Sequence, residues 1–99
     1  MAERELIWSE RAEKQLYKLL VFYKNRNKSP VYSTKLYLRF NIELKKTLSN
    51  PNMGIKTKLD HVRGLIVGNY VLYYEISEKA IVVLKIWDSR QDPDKLKYK

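Results

Sequence analysis

The chain has 99 residues, with 20 Lys and Arg against 11 Asp and Glu and no cysteine. That length supports one core and one domain, residues 1–99. The missing cysteine excludes a disulfide framework, thiolate chemistry and a Cys-ligated metal site. The formal charge is +9, with eleven basic and five acidic side chains in residues 1–50 and nine and six in residues 51–99. Such a field draws a protein toward polyanions: nucleic acid, a ribosome or an acidic protein partner. A merely soluble basic domain is the plain alternative. One histidine cannot build a metal site alone, and neither a metal nor any small-molecule cofactor is expected. No apolar run reaches the length of a membrane span, and Met1-Ala2-Glu3-Arg4 does not begin a signal peptide. A cytoplasmic protein without a membrane partner is expected.

Glu5-Leu6-Ile7-Trp8 reads as a short first strand. Ser9 is a good N-cap, because its hydroxyl can accept from a free N–H of the first helical turn. Ala12, Leu16, Leu19, Leu20 and Tyr23 then lie on one face of a helix from Glu10 to about Lys24. Asn25-Arg26-Asn27-Lys28 is a polar break. Ser29-Pro30 opens a second helix, with proline expected at the first helical position. Tyr32, Leu36, Phe40, Leu44 and Leu48 form its apolar stripe, and Asn50-Pro51-Asn52 ends it.

The period changes in the second half. Lys56 to Val67 holds a strand or two, interrupted near Asp60-His61. Gly68-Asn69 reads as a tight hairpin turn. Tyr70–Ile76 is a strand, Ser77-Glu78-Lys79 a turn, and Ala80–Trp87 the last strand. Strands joined by such short turns pair antiparallel. The expected class is α+β: a helical hairpin packed on a mainly antiparallel four-stranded sheet, in the order β-α-α-β-β-β.

Side chains alternate along a strand. Tyr70, Leu72, Tyr74 and Ile76 are expected on the helix side, because Val71, Tyr73 and Glu75 include a carboxylate. By the same argument Val82, Leu84 and Ile86 face the helices. Ile81, Val83, Lys85 and Trp87 face away. Val71, Tyr73, Ile81, Val83 and Trp87 are therefore predicted to form an open apolar face for a partner. The alternative is that the tail, Gln91 to Lys99, folds back over it.

Three stretches carry a family resemblance. They are Ser9-Glu10-Arg11-Ala12 after the first strand, Val62-Arg63-Gly64-Leu65 running on to Gly68-Asn69-Tyr70-Val71-Leu72-Tyr73-Tyr74-Glu75, and Ile81-Val82-Val83-Leu84-Lys85-Ile86-Trp87-Asp88-Ser89-Arg90-Gln91-Asp92-Pro93. With the element order, they make the chain resemble the RelE/ParE superfamily of bacterial type II toxin–antitoxin toxins along almost its whole length. The resemblance implies a growth-inhibiting toxin of the kind linked to plasmid stabilization, held inactive by a cognate acidic antitoxin. It also implies one of two targets. RelE-like members cut messenger RNA on the ribosome without a metal, using Lys and Arg side chains and often a C-terminal tyrosine. ParE-like members inhibit DNA gyrase and lack that cluster.

Arg90 matches the arginine that the RNA-cleaving members place after the last strand. The basic residue after the middle-strand tyrosine is replaced by Val71. The paired lysines expected within Val62–Ile66 are reduced to Arg63. Leu96 stands near the place of the tail tyrosine, with Tyr98 two residues on. In-line cleavage by a ribose 2′-hydroxyl needs a proton acceptor, a proton donor and positive charge on the phosphorane. Arg90, Arg63, His61 and Tyr98 are the candidate catalytic residues. Lys56, Lys58 and Lys85 are candidate phosphate contacts. Each has a plainer reading: Arg90 pairs with Asp88 or Asp92 to fix the turn before Pro93, His61 is a surface turn residue, and the lysines solvate a strand. Three functions follow. A ParE-like toxin that binds gyrase is favoured by the missing lysine and arginine cluster. A ribosome-dependent mRNA endoribonuclease is favoured by the charge and by Arg90. A non-toxic basic nucleic-acid-binding module is the weakest.

Overall fold

A computed structural model describes residues 4–91. Strand β1 (Glu5–Trp8) leads into helix α1 (Glu10–Asn27), and helix α2 (Val31–Ser49) returns alongside it. A single 3-10 turn at Pro51–Met53 follows. Then come β2 (Ile55–Lys56), β3 (Val62–Val67), β4 (Tyr70–Ile76) and β5 (Ala80–Asp88). The sheet has five strands, ordered β1-β5-β4-β3-β2. The class is the expected α+β, with one strand more than the expected four, because the two-residue β2 extends the edge beyond β3. The hairpin ladders are antiparallel, and β1 joins β5 in parallel.

Local chemistry explains the boundaries. The Ser9 side chain caps α1 by accepting from the Ala12 N–H at 3.1 Å. The helix runs three residues past Lys24 and stops at Lys28, which adopts a left-handed φ of 54°. Pro30 sits at the N-cap of α2, one position earlier than expected, and the Ser29 hydroxyl accepts from the Val31 N–H. Gly68 turns the β3–β4 hairpin with φ +61°, a conformation that a residue with a Cβ adopts only under strain. Gly54 has a different reason. A Cβ there would lie 2.7 Å from the Tyr74 hydroxyl and 2.8 Å from the Gly64 carbonyl oxygen.

The main core lies between the helices and the sheet. Ala12, Leu16, Leu36, Phe40 and Leu44 meet Leu65, Tyr70, Leu72, Tyr74, Ile81, Val83 and Ile86. Two polar residues face inward on α2, each with its hydroxyl bonded to a helix carbonyl, Ser33 across to α1 and Thr47 within α2. The Ser33 hydroxyl donates to the Leu20 carbonyl and Thr47 to that of Leu44, both at 2.6 Å. Tyr74 is fully buried, and its hydroxyl donates to the Pro51 carbonyl at 2.7 Å while accepting from the Gly54 N–H at 3.0 Å.

The alternation expected along β5 fails at one point. Tyr73 pairs with Lys85 but Tyr74 pairs with Val83, so Leu84 has no opposite number. This β-bulge inserts one residue and inverts the parity of everything before it. Ile81 and Val83, expected on the open face, are 0% exposed in the helix-side core. Val82 and Leu84, expected in that core, lie on the other face, where Val82 opposes Glu75 and Leu84 packs against a second cluster. Ile86, Lys85 and Trp87 follow the bulge and keep their expected sides.

Helix α1 closes the edge of β5 that the bulge and the short β1 leave open. The Ser9 N–H donates to the Val83 carbonyl and the Ser9 hydroxyl to that of Leu84. The Gln15 side-chain oxygen accepts from the Ile86 N–H at 2.8 Å. Removing one partner of a buried backbone group costs about 1–3 kcal/mol. Gln15→Ala should therefore destabilise the protein by that order, and Ser9→Ala by about 1–2 kcal/mol through loss of its cap as well. Urea unfolding of the two variants checks this. An unchanged midpoint for both would mean that the bulge does not depend on α1.

Candidate functional site

The strands converge on a polar cluster at the hairpin end of the sheet. Tyr70 opens β4 and faces Asp88 at the end of β5. Its hydroxyl lies 2.6 Å from that of Tyr23 on α1. Tyr70 also packs edge-on against Phe40, and Tyr23 against Tyr32. Asp88 holds Arg90 in a fork, accepting from Nε at 2.9 Å and from Nη2 at 2.8 Å, and its Oδ1 also accepts the Arg90 backbone N–H. The hydrogen-bonded guanidinium draws the Asp88 carboxyl below its ordinary pKa. Burial, and then the contact with Tyr23, push the Tyr70 hydroxyl well above its ordinary value, so it stays protonated near neutrality. The Arg39 guanidinium stands near the hairpin tip, 3.5 Å from where a Cβ on Gly68 would be. A cavity of about 160 Å³ opens beside this cluster, lined by Gln15, Leu19, Tyr70, Ile86, Asp88 and Gln91.

The other candidates lie elsewhere. Arg63 faces the helix side beside Tyr74, and its Nη1 donates to the Gly54 carbonyl at 2.8 Å. It fastens the segment before β2. His61 Nε2 lies 2.9 Å from Glu75 Oε2, and the His61 carbonyl accepts from the Ile76 N–H. Tyr74 and Glu75 stand four and five residues along β4 from Tyr70, roughly 13 and 16 Å at about 3.3 Å per residue. Arg63 and His61 therefore do not share a groove with Arg90. Lys56 closes β2 and is exposed, but Lys58 lies in the following bend, so the two do not alternate on a strand. Lys56 and Arg63 line a separate polar hollow of about 270 Å³ with Thr57, Leu59, Asp60 and Val62. Lys85 is only 6% exposed, with its ammonium 5.1 Å from the Trp87 ring centre, so it presents no phosphate contact at the surface. Tyr98 lies outside the described residues, as do Asp92 and Pro93.

The sheet face away from the helices also differs from expectation. Val71, Tyr73 and Trp87 do share it, but at 8%, 6% and 7% exposure they are a second small core with Val62. Leu59, from the loop after β2, and Leu84 of the bulge pack against them. Sequence reasoning missed Tyr23 and Tyr70 as members of the polar cluster. Each sat on a correctly read apolar stripe, and only the antiparallel pairing of Tyr70 with Asp88 reveals that the stripes meet at Arg90.

A family model described as ParE toxin of type II toxin-antitoxin system, parDE, matches residues 6–93. The chain belongs to this family. A solved structure titled Chromosomal ParDE TA system from P. aeruginosa has a similar fold, with TM-score 0.68 and 18% sequence identity over 84% of this chain and 92% of that one. No curated protein matches the chain. The chain is the toxin of a type II toxin–antitoxin pair, and an antitoxin is its partner. Among the described residues, no helix is long and apolar enough to cross a membrane.

The Asp88–Arg90 fork gives a pH prediction. Asp88 is the depressed carboxylate, so its contribution is full above the unfolded pKa and fades as pH falls through the lower folded value. Arg90→Ala should lower the thermal midpoint at neutral pH. The gap to wild type should shrink below about pH 4, the ordinary aspartate range. Melting curves between pH 2 and pH 7 check this. A gap that stays constant across the range would show that Asp88 gains nothing from Arg90.

Proposed function

We propose that this toxin inhibits growth in the bacterial cytoplasm by binding DNA gyrase, without cleaving RNA, and that an acidic antitoxin neutralises it. The observation that carries the reading is the separation of Arg90 from Arg63 and His61 along β4. In-line cleavage of RNA needs a proton acceptor, a proton donor and phosphorane-stabilising charge within hydrogen-bond reach of one ribose-phosphate unit. Among the described residues the candidates for those tasks are held apart, and each is engaged: Arg63 with Gly54, His61 with Glu75, Arg90 with Asp88. The +9 charge fits an acidic antitoxin and a DNA-bound target, and a role in plasmid stabilization follows from such a pair.

The ribosome-dependent endoribonuclease is the second reading. Arg90 favours it, being 61% exposed at its side chain despite the fork and so within reach of a phosphate. Induction in a bacterial host separates the two. Wild type should arrest growth and relax a reporter plasmid while transcript ends stay unchanged. His61→Ala should arrest growth equally well. Codon-phased cuts within translated messages, with normal plasmid supercoiling, would replace this reading with the endoribonuclease.

A further inference from the structure

We propose that the side of α1 along the open edge of β5 is a track for a single strand of nucleic acid, DNA or RNA alike. Helix α1 carries five basic side chains against two acidic ones, and Glu10 is already paired with Lys14 at 3.2 Å. Arg11, Gln15, Lys18, Phe22 and Arg26 follow one another at steps of three or four residues, so they share one side of the helix. That row is about 22 Å long at about 1.5 Å per residue. Gln15, by accepting from the Ile86 N–H, fixes the row along the part of the β5 edge that β1 does not reach. Its three cations are exposed, and so is Phe22, at 54%. Arg11 and Lys18, with Glu10, Lys14 and Gln15, line a hollow of about 500 Å³ beside the first half of the helix. Phe22 is held in place: its ring meets Tyr23 edge-to-face with centroids 5.1 Å apart, and the Tyr23 hydroxyl lies 2.6 Å from that of Tyr70.

Cations and ring together select the occupant. The row holds no aliphatic side chain, so a partner helix finds nothing there to interlock with. A second copy of this chain would bring the same positive sign against it. Duplex DNA would meet Arg11, Lys18 and Arg26 with its phosphates, but its bases are stacked on one another and would leave the Phe22 ring bare. A single strand satisfies both parts, with phosphates on the cations and an unstacked base on the ring. The Gln15 oxygen is engaged by the Ile86 N–H, and the rest of the row offers only charge and an aromatic face. Neither base edges nor the ribose 2′-hydroxyl are read by such groups, so binding is indifferent to sequence and sugar. The row does not include Arg90, whose guanidinium is held by Asp88, and the inference stands whichever target the toxin has.

The test titrates the full chain into a fluorescent dT oligomer of about 15 nucleotides and reads anisotropy over a series of salt concentrations. Saturable binding, tighter than to a duplex of the same length, is expected, with an rU oligomer bound within a few-fold of dT. Phe22→Ala should weaken the single strand about tenfold and leave the duplex unchanged. Phe22→Trp should keep the affinity and add a quenching of tryptophan fluorescence beyond that of wild type, a gain that misfolding could not produce. Arg11→Glu with Lys18→Glu and Arg26→Glu should flatten the slope of log affinity against log salt by about 2, at roughly 0.7 per phosphate contact. Lys35→Glu with Arg39→Glu and Lys45→Glu on α2 changes the net charge equally and should leave that slope as it is. Equal binding of duplex and single strand, an unaffected Phe22→Ala, or a slope that follows net charge and not position would each overturn the proposal. So would a strong preference for rU, or no saturable binding of either oligomer.

Discussion

The unpaired residue at Leu84 puts the two halves of β5 out of step, so that Ile81 and Val83 before it share the helix side with Ile86 after it. The strand must serve two neighbours of unequal length. β1 runs parallel to it for four residues and stops at Trp8, while β4 runs antiparallel to it along its whole length. The bulge comes just past the end of β1, where the chain has turned into α1. Buried backbone groups left without partners are costly, and α1 supplies them through Ser9 and Gln15. Ser9 thus links three features. Its hydroxyl starts the helix, bonds the bulge carbonyl, and sits at the residue where the sheet edge ends.

The placement of Arg90 follows from that geometry. After the bulge, Asp88 falls on the helix side opposite Tyr70, and the fork from Asp88 draws Arg90 toward Tyr23 and α1. The opposite face takes Lys85 and Trp87 and closes on itself with Tyr73 and Val71. The result is a protein whose conspicuous cations already serve the fold: Arg63 ties down the approach to β2, Lys85 lies against Trp87, and Arg90 holds the strand end. Cations engaged in this way accord with the proposal that the toxin acts by binding. Its excess of positive charge sits largely on the helices, away from those contacts.

Much of the fold was legible because its signals are local. The cap at Ser9, the four-residue spacing of Leu36, Phe40 and Leu44, and the Gly68-Asn69 turn each state their structure within a few residues. The inward face of β4 was legible for the same reason, since Glu75 marks the other side. The side chains of β5 before the bulge were not. Alternation is counted from an end, and nothing in Val82-Val83-Leu84 announces an inserted residue, because all three are aliphatic. The same inserted residue misplaced Ile81 and Val83 as partner contacts. The candidate site was harder still. The Asp88–Arg90 pair was readable from its spacing, whereas Tyr23 and Tyr70 meet across 47 residues and only through the packing of α1 on β4. Trp87 and Tyr73 are covered in part by Leu59, an aliphatic residue in a loop that the sequence marks only as a break.

The central claim is that this ParE-family chain acts by binding and performs no RNA cleavage. The most direct measurement is a reconstitution with purified parts. The chain is titrated into gyrase with relaxed plasmid and ATP, and in parallel into translating ribosomes with a defined message. Loss of supercoiling that follows toxin concentration, with the message intact, is the result the account predicts. Undisturbed supercoiling together with cuts at ribosome-bound codons would contradict it, and would mean that residues held apart in this structure come together on the ribosome.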